Sequence, residues 1–246
     1  RRGRPPGDRR RARLSRWWMS CTLTPARPDG ALYRLGRRPD PWAWPDWSHA
    51  SERGTFDNRF DDPRGEYRVL YASSQRSAPF LETLARFRPD PAIAAVQIEG
   101  DERDKDFPTV AAGTVPRTWL DQRVLGTALC AAEFADIGTA VSLAHLRDAL
   151  AAEVLKHGLD ELDAATIRLR APRELTQAIS RYVYECTRED GERAFQGIRY
   201  RSRLGDNLTN WAICEPADLG VLEDKELRED DPDLLGALEI LGLRLV

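Results

Sequence analysis

The run Glu66–Ala72, EYRVLYA, constrains the fold more than any other stretch of this chain. Its β-branched and aromatic residues suit a pleated surface, and Pro63, Gly65 and Ser73 bound it. Successive strand side chains point to opposite faces, so Tyr67, Val69 and Tyr71 share one side, and Arg68, Leu70 and Ala72 the other. Just beyond it, Ser77 is placed as a helix N-cap and Pro79 is tolerated in a first turn. That helix is expected to run to about Phe87, before Pro89. Leu81, Leu84 and Ala85 form its buried stripe, with Glu82 towards the border.

The remaining pattern places strands towards both ends and helices between them. Ala31–Leu35 is an expected strand, with Arg34 pointing opposite to its apolar neighbours, and Ile93–Ile98 is another. Residues 39–47, PDPWAWPDW, make a Pro–Trp loop whose rings either cap a core or line a cleft. Leu120–Ala135 and Ser142–His157 read as helices. The second carries Leu143, Leu146, Leu150 and Val154 on one stripe, with Gly158 as its stop. Pro172 starts a third, with Leu175, Ile179, Tyr182, Val183 and Cys186 at helical spacing. Strands follow near Ile198–Tyr200 and Leu208–Cys214. A short helix capped by Asp231, with Pro232 in its first turn, closes on Gly242 and an apolar strand, LRLV. No internal repeat or second domain is evident. The fold class is α+β, a mixed sheet supported by a helical layer.

A chain of 246 residues can bury a sizeable core as one domain. No apolar run approaches the roughly 20 residues that cross a bilayer, and the arginine-rich start lacks the apolar segment of a secretory signal. The cytoplasm is the expected compartment. Cys21, Cys130, Cys186 and Cys214 are widely spaced without a C-x-x-C pair, and buried thiols are expected rather than a disulfide or metal site. His49, His145 and His157 are scattered too, so no metal is expected. Residues 1–18 carry eight arginines against Asp8, within a net charge of −3 for the chain. The segment reads as a disordered tail, a nucleic-acid arm, or an untranslated stretch if translation begins at Met19. The folded body would then span 19–246. That body is acidic, which makes a nucleic-acid surface an unfavoured reading.

Four side chains stand out chemically. Arg59 sits on a polar loop and offers a planar fork that matches phosphate oxygens. Tyr71, near a strand end, offers a ring for stacking on a flat heterocycle. Glu82 on a helix flank could accept hydrogen bonds from ribose hydroxyls and stabilise the positive charge that develops as a glycosidic bond breaks. Ser202 lies between Arg201 and Arg203. Each also has a plain structural reading. Glu82 could pair with Arg86 for roughly 0.3–0.5 kcal/mol, Tyr71 could be core, Arg59 a solvated charge and Ser202 a turn residue. There is no G-x-G-x-x-G opening a helix, no P-loop and no G-x-S-x-G elbow, so a dinucleotide site would need another architecture.

An early L-Y-R, then R-F-x-x-P-x-G and V-L-Y-x-A, a glutamate eleven residues after that tyrosine, and finally G-I-R-Y-R-S-R with N-W-A-I together resemble the RES domain. The resemblance covers roughly residues 31–246. It implies the toxin half of a toxin–antitoxin pair, a fold similar to ADP-ribosyltransferase toxins, and an NAD-degrading activity with NAD as substrate rather than cofactor. The family arginine, tyrosine, glutamate and serine fall on Arg59, Tyr71, Glu82 and Ser202, and the opening-motif arginine on Arg34. Arg59 and Arg34 would hold the pyrophosphate, and Tyr71 would stack on nicotinamide. Glu82 would anchor the nicotinamide ribose, while Ser202 would bond the ribose or position Glu82. Two positions depart from the family: Asn58 stands where glycine is usual and Phe60 where tryptophan is frequent. Asparagine tolerates left-handed backbone angles, which would let the loop persist.

The leading expectation is therefore an NAD glycohydrolase or phosphorylase. The alternatives are an ADP-ribosyltransferase that uses the same pocket on a macromolecule, and a non-catalytic interaction module. The resemblance also implies an antitoxin partner, expected on a separate chain since no DNA-binding helix-turn-helix pattern is evident here.

Overall fold

The computed structural model describes residues 21–89, 111–169 and 172–246. The arginine-rich start and the strand expected at Ile93–Ile98 lie outside the described residues.

In chain order, the first elements are β1 (Pro25–Ala26), β2 (Leu32–Arg37), β3 (Val69–Ser73) and α1 (Ala78–Leu84). Next come β4 (Thr114–Val115), α2 (Thr118–Asp121), β5 (Arg123–Leu129) and β6 (Phe134–Asp136). Four helices follow: α3 (Ala140–Ala149), α4 (Ala151–Lys156), α5 (Ala164–Arg168) and α6 (Arg173–Glu185). The chain ends with β7 (Gly197–Ser202), β8 (Gly205–Cys214), β9 (Gly220–Glu226), α7 (Pro232–Leu241) and β10 (Arg244–Leu245).

The main sheet has eight strands in the order β1-β6-β7-β8-β3-β2-β5-β9. All its pairings are antiparallel except β6 with β7, and β10 pairs with β4 in a separate parallel ribbon. This is the α+β, mixed-sheet class expected from the sequence. The alternation in β3 sets its layers. Tyr67, Val69 and Tyr71 face a core shared with α3–α6, whereas Leu70 and Ala72 face a second core with Trp42, Phe134 and Trp211. A third cluster joins α1, α2 and α7 around Leu84, Trp119 and Leu238.

The expected helix at Leu120–Ala135 is instead α2, β5 and β6. Strand β5 is buried on both faces over most of its length, and a doubly buried strand gives a continuous apolar run that periodicity cannot tell from a helix. Glycine makes its packing possible. A Cβ on Gly126 would lie 2.4 Å from Trp42 Nε1, and one on Gly36 would lie 2.3 Å from Pro41 Cα. The Pro–Trp loop thus presses on the bare backbone of β2 and β5, with Trp42 buried as a cap and Trp47 partly exposed against Phe56.

Other boundaries follow local chemistry. The Ser142–His157 expectation resolves into α3 and α4, broken at Leu150, whose ψ of 18° leaves the helical region. Gly158, at a φ of +66°, ends the run as expected. Asp231 caps α7 through Asp233 N and Leu234 N, and Gly242 ends it in the left-handed region. Ser77 precedes α1 but makes no side-chain cap bond, because its own backbone is already helical. A 3-10 turn over Ala85–Phe87 carries α1 to the expected end.

The cysteine expectation is corrected in part. Cys130 and Cys214 are buried free thiols, but Cys21 and Cys186 form a disulfide that joins the segment before β1 to the end of α6. Sequence spacing could not reveal it, because the two are brought together only when the first strand and the helical layer pack on one core. Cysteine usage therefore no longer argues for a reducing compartment. No described helix is long and apolar enough to cross a membrane.

Candidate active site

Three neighbouring strands build the floor of a cleft of about 820 Å³. Across β7, β8 and β3 the register aligns Tyr200 with Asn210 and Asn210 with Ser73, and the next step aligns Ala212 with Tyr71. Helix α1 lies along one side. Its apolar stripe of Phe80, Leu81 and Leu84 is buried, which leaves Glu82 on the border, directed into the cleft.

Glu82 is held from behind. Ser202 Oγ donates to its Oε1 at 2.6 Å, and Asn210 Nδ2 donates to the same oxygen at 2.7 Å. Asn210 is itself fixed by Ser73, whose hydroxyl donates to Asn210 Oδ1 at 2.6 Å. Ser202 accepts the Leu204 N–H at 2.9 Å and is only 1% exposed. It therefore supports the carboxylate and does not face the cleft; of its two expected roles, positioning fits this placement. The chain Ser73–Asn210–Glu82 with Ser202 leaves Oε2 without a hydrogen bond among the described residues.

Tyr71 fastens the loop that carries Arg59. Its hydroxyl accepts the Phe60 N–H at 2.9 Å and donates to Asp61 Oδ1 at 3.0 Å. Burial pushes the Tyr71 phenol well above its ordinary value, with the adjacent Asp61 adding to the shift, so it stays a donor. Burial likewise raises the Asp61 carboxyl, against hydrogen bonds from Asn58 and Tyr71 that favour its charged form. Asn58 donates to Asp61 Oδ2 through its backbone N–H at 2.6 Å and its side-chain amide at 2.7 Å. Its tolerance of left-handed angles is not called upon, because no described residue other than glycine has positive φ. The amide side chain is what asparagine contributes here.

Arg59 reaches across the cleft. Its Nη2 donates to Leu169 O at 2.8 Å, and its guanidinium lies 5.9 Å from the Phe60 and Tyr200 ring centroids. Burial lowers its proton affinity, while the nearby Tyr200 and Glu82 raise it. Arg34 fills the gap where β2 and β3 splay apart after pairing only at Tyr33 and Ser73. It donates from Nε to Pro41 O at 2.7 Å and from Nη1 to Tyr71 O at 2.8 Å. Burial brings its pKa down to about 10, so it remains a cation at neutral pH.

The lining is strongly cationic: Arg34, Arg59, Arg86, Arg88, Arg173 and Arg203, against the single carboxylate of Glu82. Only Arg173 among them pairs with an acid in the described residues, Asp57 Oδ2 at 3.1 Å. The Glu82–Arg86 pair of the plain structural reading is absent among the described residues; Glu82 turns to Ser202 and Asn210 instead. The structure thus brings Arg34, Arg59, Tyr71 and Glu82 to one cleft, with Ser202 directly behind. A family model described as the RES domain matches residues 31–232. The chain belongs to the RES domain family.

No curated protein and no solved structure matches the chain. In this RES domain, sequence reasoning did not single out Asn210, Ser73, Asp61, Tyr200, Arg173 or Arg203. Tyr200 and Arg203 lie inside the GIRYRSR segment and Asn210 opens NWAI, so both motifs carried the signal. Ser73 and Asp61 had none, because their roles exist only through strand register and loop closure.

Proposed function

We propose that this RES domain binds NAD in the cleft and cleaves the nicotinamide–ribose bond, as the toxin component of a toxin–antitoxin pair. The observation that carries the reading is a carboxylate fixed by two donors in a cleft otherwise lined by guanidinium groups. A dinucleotide presents the complementary pattern: an anionic pyrophosphate and a ribose whose anomeric carbon becomes cationic as nicotinamide leaves.

Arg59, with Arg34 behind it, meets the pyrophosphate. The ring of Tyr71 stacks on nicotinamide, its hydroxyl being committed to the loop. Glu82 accepts from the ribose hydroxyls through Oε2 and stabilises the oxocarbenium-like transition state, already oriented before the substrate arrives. The C–N bond breaks with its electron pair leaving on nicotinamide, which becomes neutral. Water or inorganic phosphate then forms the new C–O bond, and water's proton passes to solvent. An antitoxin on a separate chain would inhibit by covering this cleft.

The test is nicotinamide release from NAD by the purified protein, with and without phosphate. Glu82→Gln keeps the shape and removes the charge, and a loss of about 10²–10³ in kcat is expected, the cost of one preorganised electrostatic group. A Glu82→Gln protein that consumes NAD at the wild-type rate rejects the assignment. Label from ¹⁴C-adenine NAD retained on a macromolecule would redirect the reading to transfer; free ADP-ribose or its phosphate supports the proposal.

A further inference from the structure

Helix α6 runs beside the loop that carries Arg59 and bonds it along its length. Arg173, Gln177, Ser180 and Arg181 stand at the spacing that puts helical residues on one face, and that face meets residues 57–66. Arg173 Nη1 donates to Asp57 O, Gln177 Nε2 to Asn58 O at 3.2 Å, and Ser180 Oγ to Phe60 O at 2.7 Å. Farther along, Arg181 Nη1 donates to Glu66 Oε2 at 2.5 Å, and Arg64 Nη1 to Glu185 Oε1 at 3.1 Å. The helix is itself anchored by Leu175, Ile179 and Val183, which share a core with Phe60 and Tyr67.

Two of these bonds bracket Arg59. Gln177 and Ser180, about one turn apart on α6, take the carbonyls on either side of it, those of Asn58 and Phe60. Phe60 is fixed elsewhere as well: its N–H goes to Tyr71, and its ring packs on Tyr200 with centroids 4.8 Å apart. Ser180 is only 1% exposed. With its one proton on Phe60 O, the Tyr67 hydroxyl at 2.9 Å donates to the serine in turn. The tip of Arg59 leans the same way, onto Leu169 O just ahead of the helix.

We propose that Gln177 and Ser180 are positioning residues that set Arg59 for the anionic part of the substrate. A guanidinium fork binds phosphate oxygens bidentately only when its plane is held at the right angle. Fixing the carbonyls on both sides of Arg59 removes backbone freedom that binding would otherwise have to remove. Neither side chain lines the cleft, whereas Arg59 does. They act through the backbone of Asn58 and Phe60. The kinetic form of this inference rests on the NAD reading above; the loop-ordering form does not.

The experiment uses the full chain with Gln177→Met and Ser180→Ala. Methionine matches glutamine in length but has no donor. Gln177 is half-buried, and Asn58 O keeps the Asp61 N–H at 3.3 Å, so the fold is retained. Ser180→Ala also strands the Tyr67 hydroxyl in the core, so Gln177→Met decides alone where the alanine protein does not fold. First, hydrogen–deuterium exchange is followed without substrate. Exchange at residues 57–66 should speed up about three- to tenfold in Gln177→Met, the loss of one hydrogen bond, with β7 and β8 unchanged. Unchanged exchange in the loop overturns the proposal, and so does an equal rise across the whole fold.

Second, nicotinamide release from NAD is measured. KM should rise about three- to tenfold in each variant with kcat within about twofold, because Arg59 meets the pyrophosphate alike in ground and transition states. A purely structural defect would instead lower kcat through the active fraction and leave KM alone, and that result overturns the positioning role. In an Arg59→Ala background, adding Gln177→Met should change kcat/KM by less than about twofold. Losses that multiply there overturn the role as well. Absence of turnover in the wild type overturns the NAD proposal, while the exchange measurement still decides whether α6 orders the loop.

Discussion

Ser202→Ala tests whether the buried serine acts through Glu82. The substitution removes a 2.6 Å hydrogen bond to Glu82 Oε1 and leaves Asn210 as the one remaining donor to that oxygen among the described residues. A hydrogen bond to a charged group contributes about 1.5–3 kcal/mol. Because Asn210 still orients the carboxylate, the lower half of that range applies, and kcat should fall roughly 10- to 40-fold with KM nearly unchanged. The same hydroxyl accepts the Leu204 N–H, so that donor loses its partner next to a site only 1% exposed. An unsatisfied buried donor costs about 1–3 kcal/mol, which denaturant unfolding would register separately. The decisive assay is a double-mutant cycle on nicotinamide release. With the carboxylate already replaced in Glu82→Gln, adding Ser202→Ala should change kcat by less than about twofold, since residues that act as a unit are not additive. Rate losses that multiply across the cycle would refute the positioning role. So would a folded Ser202→Ala enzyme with the wild-type kcat.

Tyr71→Phe keeps the ring but removes the hydroxyl that ties Phe60 and Asp61; KM for NAD should rise about tenfold through loosening of the Arg59 loop, and an unchanged KM would return Tyr71 to stacking alone. Reduction of Cys21–Cys186, which spans 165 residues, should lower the unfolding free energy by about 2–4 kcal/mol. The Cys21→Ala/Cys186→Ala protein should then show no response to reductant. Asp231 is held below its ordinary carboxylate value first by its hydrogen bond from Arg76. A depressed folded pKa gives stability that is fully present above the unfolded value and lost as pH falls through the folded one. Arg76→Gln should accordingly cost about 1 kcal/mol at neutral pH and flatten the acid limb of stability below about pH 4, read by denaturant titration across pH.

Local chemistry made much of the fold legible. The alternation of EYRVLYA gives β3 its two faces, Asp231–Pro232 and Gly242 bracket α7, and Gly158 stops α4, because strand period, caps and positive φ depend on a few neighbouring residues. Strand β5 escaped the same logic. Burial on both faces erases alternation, and the reason Gly126 must be glycine is Trp42, more than eighty residues earlier.

The residue types of the site, and their membership of the RES domain, are written in the chain itself: an arginine, a tyrosine, a glutamate and a serine in recognisable local settings. Which of them touch one another was decided by packing. Register across β3, β8 and β7 puts Ser73, Asn210 and Ser202 into a line of donors that ends on Glu82. The closure of a loop turns Tyr71 from a free ring into a clasp for Arg59, and the pairing of Cys21 with Cys186 arises the same way. Hydrogen bonds and ion pairs act over a few ångströms, so their partners are chosen by the folded distance between groups, which separation along the chain does not encode.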